Sequence, residues 1–354
     1  MPSSRRSAPA GIERTSAPAH SRANEKVGEG AILTRRQFLA AGTSLALAGS
    51  AQAAYPDHPI RILVGYAAGG GVDIVARLLS DPLKAALNQT VIVENRTGAS
   101  AMIASNAVAK ASPDGYTWLM AASGEVAINQ HLFKNQMTYD ASRELVPVAL
   151  IGIVPCVVVV ASKTPVHDPK ELIAHCKANE GKLSFSSSGV GNPQQLAGEL
   201  MNSMAGIHVL HVPYRGSAPA VTDVATGAVT MSFSSLAAAL PLIKAGQIRA
   251  VAVTSRDPMP QLPDVRPLSE GAPGLTGYEL LNWFGMFGTA GTAPEIVDRV
   301  NAIVNTALRD PEIGGKLSPQ GIVPRLMTAK EYKAFVASET EKFGKIVEQA
   351  NIHL

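Results

Sequence analysis

Gly65-Tyr66-Ala67-Ala68-Gly69-Gly70-Gly71-Val72-Asp73 is the stretch on which the reading of this sequence turns. An apolar run, Ile60 to Tyr66, leads into it. Behind it Val72, Val75, Ala76, Leu79, Leu83 and Leu87 recur on one helical face. A strand, a glycine turn and an amphipathic helix in that order open an α/β unit. Consecutive glycines let the backbone turn with φ > 0 and let a ligand approach the amides closely. The helix start behind them offers unsatisfied N–H groups and roughly half a positive charge. The stretch is therefore a candidate anion seat without a cationic side chain, with Gly70, Gly71, Val72 and Asp73 as its contact residues. An ordinary strand-to-helix turn is the plain alternative, and bracing the loop is the simpler job for Asp73. The order is not G-x-G-x-x-G and lacks the G-K-[ST] of a phosphate loop, which argues against a nucleotide. Pro82 falls inside the helical pattern and predicts a kink or an early stop.

Reading outward, Thr90–Glu94 and Thr117–Ala122 are strands flanking a small-residue helix, Ala101–Ala111, which completes a β-α-β-α-β half. A second unit of the same kind follows. Val157–Ala161 is a strand with no polar interruption, buried on both faces. Asp168-Pro169-Lys170-Glu171 starts a helix with Asp at the N-cap, Pro at N1 and Glu at N3. Strands Leu183–Ser186, His208–Val212, Ala228–Phe233 and Arg249–Thr254 alternate with helices from Asn192-Pro193, Ala218–Thr226 and Leu236–Ala245. Largely parallel sheets are expected. Arg256–Pro273, rich in Pro and Gly, reads as a long surface connection. Two helices close the chain, one from Pro294 and one from the capping box Thr328-x-x-Glu331. They need a sheet to cover, and the first lobe, with three strands and two helices, is the one left bare. The expected architecture is thus two α/β lobes: a discontinuous first lobe, 54–157 plus 255–354, and a second, 158–254, inserted into it. Two strands, Val157–Ala161 and Arg249–Thr254, would pass between them as a hinge.

The second lobe carries its own strand-to-helix loop, Ser186-Ser187-Ser188-Gly189-Val190-Gly191-Asn192-Pro193. Hydroxyls and amides of Ser187, Ser188 and Gly189 can bond a carboxylate. Ser123-Gly124 and Ser234-Ser235 end further strands on the same carboxyl edge, where open α/β sheets bind ligands. Ser123 and Ser234 join the candidate set for that joint placement, since a lone Ser is more often a plain turn residue. A nucleophile elbow would need G-x-S-x-G, and the local order S-S-S-G-V-G lacks it. Arg96 suits a carboxylate clamp or an internal brace equally, and Trp283-Phe284 reads as lobe core rather than pocket wall. His208 and His211 sit three apart in a strand and face opposite sides. No C-x-x-C, H-x-x-x-H or H-E-x-x-H occurs, so no metal and no cofactor is expected. Cys156 and Cys176 read as buried thiols or as a pair formed after export.

Thr34-Arg35-Arg36-Gln37-Phe38-Leu39, the apolar run Leu39–Ala48 and Ala51-Gln52-Ala53 follow the grammar of a twin-arginine export signal cleaved after about Ala53. The run is short of the roughly 20 apolar residues a spanning helix needs. Residues 1–53 hold seven of the 31 Lys/Arg and three of the 28 Asp/Glu, leaving 24 basic against 25 acidic side chains. With no basic face the mature chain has no footprint for nucleic acid.

Several stretches together resemble the Bug-type (TctC-like) receptors, the extracytoplasmic solute-binding proteins of tripartite tricarboxylate transporters. They are the Gly69–Asp73 loop, Val93-Glu94-Asn95-Arg96, Ser112-Pro113-Asp114-Gly115-Tyr116-Thr117 and Leu196-Ala197-Gly198-Glu199-Leu200. His211-Val212-Pro213-Tyr214-Arg215-Gly216, Ala245-Gly246 and Leu262-Pro263-Asp264-Val265 complete the set. The resemblance implies a periplasmic-binding-protein-like (type II) fold that closes on a small carboxylate. It implies contacts by Gly70, Gly71, Val72, Asp73, Ser123, Ser187, Ser188 and Gly189, and a two-component membrane permease as partner. A monomeric, periplasmic, non-enzymatic protein is expected. Ala68 stands where the family usually has Pro, Thr97-Gly98-Ala99-Ser100-Ala101 where it has Pro-Gly-Ala-Gly-Gly, Gln195 where His is common, and Ser234-Ser235 in place of a frequent Asp-Asn. These departures surround the cleft and bear on ligand identity. A sensor signalling to a membrane histidine kinase and an exported α/β enzyme are the alternatives.

Overall fold

A computed structural model describes residues 55–352, so the export signal lies outside the described residues. Strands β1 (Ile60–Val64), β2 (Val91–Asn95) and β3 (Thr117–Ala122) are parallel, in the order β2-β1-β3. Helices α1 (Gly71–Leu87) and α2 (Met102–Ala109) make the crossovers. The two-residue period of a strand divides the side chains between two layers. Ile60, Ile62 and Val64 pack with Val72, Val75, Leu79 and Leu83 of α1, whereas Leu63 joins Met102, Ala104 and Val108 of α2. Contrary to the sequence expectation, α1 runs through Pro82 to Leu87 without stopping. Pro82 lies off the stripe of buried residues, so the backbone bond it deletes is lost on the outer side while Leu79, Leu83 and Leu87 hold the helix to the sheet.

The chain then forms β4 (Leu145–Pro155), and after the single residue Cys156 it continues as β5 (Val157–Ala161) in a second sheet. That sheet is completed by α3 (Pro169–Ala178), β6 (Ser184–Ser187), α4 (Pro193–Ala205), β7 (Leu210–Pro213), α5 (Ser217–Thr226), β8 (Met231–Ser234), α6 (Leu236–Lys244) and β9 (Ile248–Val253). Its strand order is β7-β6-β8-β5-β9. The chain returns to the first sheet as β10 (Leu281–Thr289), followed by α7 (Pro294–Leu308), α8 (Pro311–Leu317), β11 (Val323–Pro324) and α9 (Ala329–Gln349). The first sheet reads β11-β4-β10-β3-β1-β2.

Both sheets are mixed, which corrects the expectation of largely parallel ones. β10 is antiparallel to β3 and β4, and β5 is antiparallel to β8 and β9. The reason is that β5 and β10 each enter their sheet directly from the other one, with no α-helical crossover to restore the strand direction. β4 and β10 carry Pro147, Gly152, Pro155, Gly285 and Gly288, which read as breakers in sequence. Two of these glycines are there for close approach. A Cβ at Gly285 would lie 1.8 Å from Tyr332 Oη, and one at Gly152 2.5 Å from the Val323 carbonyl.

The passage between sheets is a short doubled ribbon. Cys156 N donates to Thr254 Oγ1 at 2.9 Å, Thr254 N to the Cys156 carbonyl at 3.0 Å, and Leu280 N to the Thr254 carbonyl at 3.0 Å. Arg256–Pro273 is more than a surface connection. Met259 and Leu268 are buried along it, and just beyond it Leu275 is buried and Tyr278 Oη donates to the Ala197 carbonyl at 2.8 Å. α9 starts with the full capping box, Thr328 and Glu331 each bonding the other's backbone. Its Tyr332, Phe343 and Ile346 share one apolar cluster with Trp283 and Phe287 of β10 and with Leu196 and Leu200 of α4. The two sheets are thereby joined at the back by a continuous core, and the opening between them faces the strand ends.

Candidate functional site

A cavity of about 270 Å³ lies between the sheets, lined from one side by Tyr66, Gly70, Gly71, Val72, Ala122, Asn282, Phe284 and Gln320. From the other side come Ser188, Asn192, Gln194, Ser217, Ser235 and Ala237, and Val154, Pro155 and Cys156 of the crossing ribbon form part of the wall. No lining residue is charged. A larger groove of about 890 Å³ runs along the outer face between α1 and α7. It is lined by α1, α7 and α8 without reaching a strand end, and is rimmed by Arg77, Asp81, Asp310, Glu312 and Lys316. The inner cavity, where strand ends and helix starts converge, is the candidate site, in the position where open α/β sheets hold ligands.

Its donors come from helix starts whose first N–H groups have no internal partner. α1 begins at Gly70 with no side-chain cap, and Gly70, Gly71 and Val72 at this start line the cavity. α5, behind Gly216 with φ 114°, and α6, behind Ser235, likewise lack a capping side chain. Ser217, Ser235 and Ala237 at these starts all line the cavity. Three helices from two lobes thus turn their positive ends toward one neutral space, an arrangement that favours negative charge there.

The loop of the second lobe that the sequence singled out behaves differently. Asn192 Oδ1 accepts from Gln194 N and Gln195 N at 3.0 Å each. Ser188 N donates to Gln194 Oε1 at 2.7 Å and Gly191 N to Gln195 Oε1 at 2.8 Å. Ser187 Oγ donates to the Gly189 carbonyl at 2.7 Å and meets His211 Nε2 at 2.7 Å. The amides of Ser188, Gly189 and Gly191 are spent within the loop and its helix, while Ser188 Oγ accepts from Asn192 Nδ2 at 3.0 Å.

Of the nine candidate residues, Gly70, Gly71, Val72 and Ser188 are brought together on the cavity. Asp73, Ser123, Ser187, Gly189 and Ser234 do not line it. Asp73 is a brace: it accepts from Gly69 N at 2.8 Å, Arg77 Nε at 3.0 Å and Asn95 Nδ2 at 2.8 Å. Burial pushes its carboxyl up, but Arg77, the Gly69 amide and Asn95 outweigh it and hold the group below its usual range. Ser123 Oγ donates to Asn282 Oδ1 at 2.9 Å and so fixes a side chain that does face the cavity. Ser234 Oγ donates to the Ser235 carbonyl at 3.2 Å. Arg96 pairs with Glu94 at 2.9 Å, outside the cavity.

Sequence reasoning missed Tyr66, Asn192, Gln194, Ser217, Asn282, Phe284 and Gln320. Phe284 is buried in the core as expected, packed with Val72 and Met286, but on the face opposite Trp283, where it also lines the cavity. Trp283 is fully buried, while the Phe284 ring closes over Gly71, 3.2 Å from where a Cβ would stand. That alternation was the available signal. The Ser187–His211 contact is also new, and it holds the loop in shape. Ser187 is buried away from the cavity, and burial drives the His211 pKa down to about 4, leaving a neutral imidazole. Both cysteines are free and buried, with thiols raised by burial to about 12 for Cys156 and about 11 for Cys176.

The model of the tripartite tricarboxylate transporter family receptor matches residues 75–352. This chain belongs to that receptor family. A protein of the tcbD-tcbE intergenic region of Pseudomonas sp. (strain P51) is 38% identical over 318 residues, covering 88% of this chain and 94% of that one. An R. palustris protein solved with adipate superposes with a TM-score of 0.77 at 32% identity, covering 84% of this chain and 99% of the other. The periplasmic binding protein BugD does so with a TM-score of 0.73 at 30% identity over 84% and 99% of the two chains. The family's members are solute-binding receptors rather than enzymes, and the two-lobed α/β fold is theirs.

Proposed function

We propose that this chain is exported to the periplasm, captures a small carboxylate between its two lobes as a monomer, and hands it to a two-component membrane permease. The observation that carries the reading is the neutral cavity surrounded by uncapped helix starts. A carboxylate brings its own charge and needs donors, and main-chain N–H groups in a partly dry cleft supply them without a second buried charge to desolvate. The apolar wall of Phe284, Val72, Val154 and Pro155 suits a hydrocarbon body attached to that carboxylate. The relative solved with adipate supports a ligand of this class. We take 54–157 plus 255–354 and 158–254 as the two bodies that close on it, turning about the ribbon at Cys156 and Thr254. Gly70, Gly71, Val72 and Ser188 would touch the ligand, with Asp73, Ser123, Ser187, Gly189 and Ser234 shaping the loops behind them.

Thermal unfolding of the mature chain, with and without millimolar mono-, di- and tricarboxylates, tests this. A ligand present at a hundredfold excess over its Kd adds about 2.7 kcal/mol to the stability of the form that binds it. At least one small carboxylate should raise the Tm by several degrees. A panel in which none does so removes the carboxylate reading.

A further inference from the structure

Behind the cavity wall lies a carboxyl that capture itself does not require. Glu125 is fully buried in the turn after β3. Its Oε1 accepts from Ala122 N at 2.9 Å and its Oε2 from Tyr66 Oη at 2.6 Å. Tyr66 is itself a wall of the cavity, so one hydrogen bond separates the carboxyl from the ligand space. The neighbouring Gly124 lies close to the second lobe, since a Cβ there would come within 4.0 Å of the Gly191 carbonyl.

Among the described residues no cation faces Glu125. The titratable groups around it are phenols: Tyr66 from the glycine loop, Tyr139, whose Oη donates to the Glu125 carbonyl at 2.6 Å, and Tyr332 from α9. Charges on the elements packed against it are engaged elsewhere. Glu144 pairs with Lys110, Arg143 with Asp140, and Glu339 of α9 with Lys342, while His131 bonds the Thr340 carbonyl. Burial without a compensating cation raises the Glu125 pKa to about 7.

We infer that the Glu125–Tyr66 pair makes ligand capture proton-responsive, with Glu125 as a positioning residue that decides where the Tyr66 hydroxyl donates. The inference rests on the carboxylate reading of the cavity. An ionised Glu125 can only accept, so it claims the Tyr66 hydrogen and places a negative charge behind the wall. A protonated Glu125 donates its own hydrogen to Tyr66 Oη, which frees the phenol hydrogen to turn into the cavity toward an anion. Capture of a carboxylate therefore strengthens as Glu125 takes up a proton.

Two measurements on the mature chain and its E125Q and Y66F variants test this. In the first, the ligand-free proteins are melted from pH 5 to 8.5. A raised folded pKa means that the folded state holds its proton longer than the unfolded chain, so Glu125's contribution to stability is full below the unfolded value and is lost as pH rises through about 7. The wild type should lose Tm relative to E125Q across that window. In the second, adipate, malate, hexanoate and benzoate are titrated at pH 5.5 and 8. The wild type should bind its preferred probe roughly tenfold more weakly at pH 8, the worth of about one charge-assisted hydrogen bond, and E125Q and Y66F should flatten the difference. Parallel melting profiles for wild type and E125Q, or an unchanged affinity slope in the variants, overturn the inference while leaving the receptor reading intact. Failure of every probe at both pH values overturns the carboxylate reading and the ligand half of the inference together; the ligand-free profile separates that result from a fault in Glu125's titration.

Discussion

The helix starts at Gly71 and Pro193 look alike in sequence, each reached from a strand through a loop rich in small residues, and they end in opposite states. At Gly71 no side chain caps the helix, and the loop is tied down from behind by Asp73. At Pro193 the cap is Asn192, and Gln194 and Gln195 take up the amides of Ser188 and Gly191. The contrast teaches that glycine and serine content marks a loop able to receive a ligand, whereas the availability of its N–H groups depends on which polar side chains follow within about six residues. Each loop is braced from its own helix, but Asp73 takes only the Gly69 amide and leaves the α1 start without a side-chain cap, whereas Gln194 and Gln195 take the Ser188 and Gly191 amides and Asn192 caps the helix. The second lobe instead offers the starts of α5 and α6, whose sequences, Gly216-Ser217 and Ser235-Leu236, are plain.

The sharpest test is at Gly71. A G71V side chain must enter the space held by the Phe284 ring and cover the α1 amides. Carboxylate affinity should fall by about hundredfold or more, near 2.8 kcal/mol, read by calorimetric titration. Retained affinity would mean that the α1 start is not the seat. Next is D73N, which keeps the shape but removes the charge that Gly69, Arg77 and Asn95 share. It should cost about 2 kcal/mol in denaturant unfolding, in the range for breaking a buried polar network. Because the Asp73 pKa is depressed, its contribution is present above the unfolded value and is lost as pH falls through the folded one, so the deficit of D73N should shrink in strong acid.

At the second lobe N192A should lower stability by about 1 kcal/mol, the usual worth of an N-cap, and leave carboxylate affinity within about twofold. A large loss of affinity would mean that the Asn192 side chain, already on the cavity wall, holds the ligand as well as the helix, and would erase the contrast. The smallest effect is expected at His211. Its folded pKa of about 4 lies below 6.5, so the neutral ring's contribution is present above pH 6.5 and fades as pH falls toward 4. H211N should soften the acid limb of the Tm profile and change binding at pH 7 very little.

Much of the fold was legible because its helices are amphipathic and its parallel strands are short apolar runs; the stripe from Val72 to Leu87 and the box at Thr328 were readable residue by residue. The two longest strands, β4 and β10, were not, because Gly152 and Gly285 serve packing against Val323 and Tyr332, contacts made across 171 and 47 residues of chain. The site was half legible. Gly70, Gly71, Val72 and Ser188 sit in local strand-to-helix patterns, whereas Asn282, Phe284 and Gln320 arrive from the returning chain, and no local pattern connects them to residue 70. The braces at Asp73 and Ser187 could not be separated from contact residues without knowing which way each side chain turns.

Cys156 and Cys176 have a practical consequence. Both sulfurs are enclosed and held as thiols far above neutral pH, so maleimides and other thiolate-seeking dyes should pass them by. An engineered cysteine at an exposed rim position such as Val190 would then be the preferred site of labelling, without first stripping the native ones. An environment-sensitive fluorophore attached there would turn lobe closure into an optical signal, and an unknown cargo could be sought by colour change in crude metabolite mixtures.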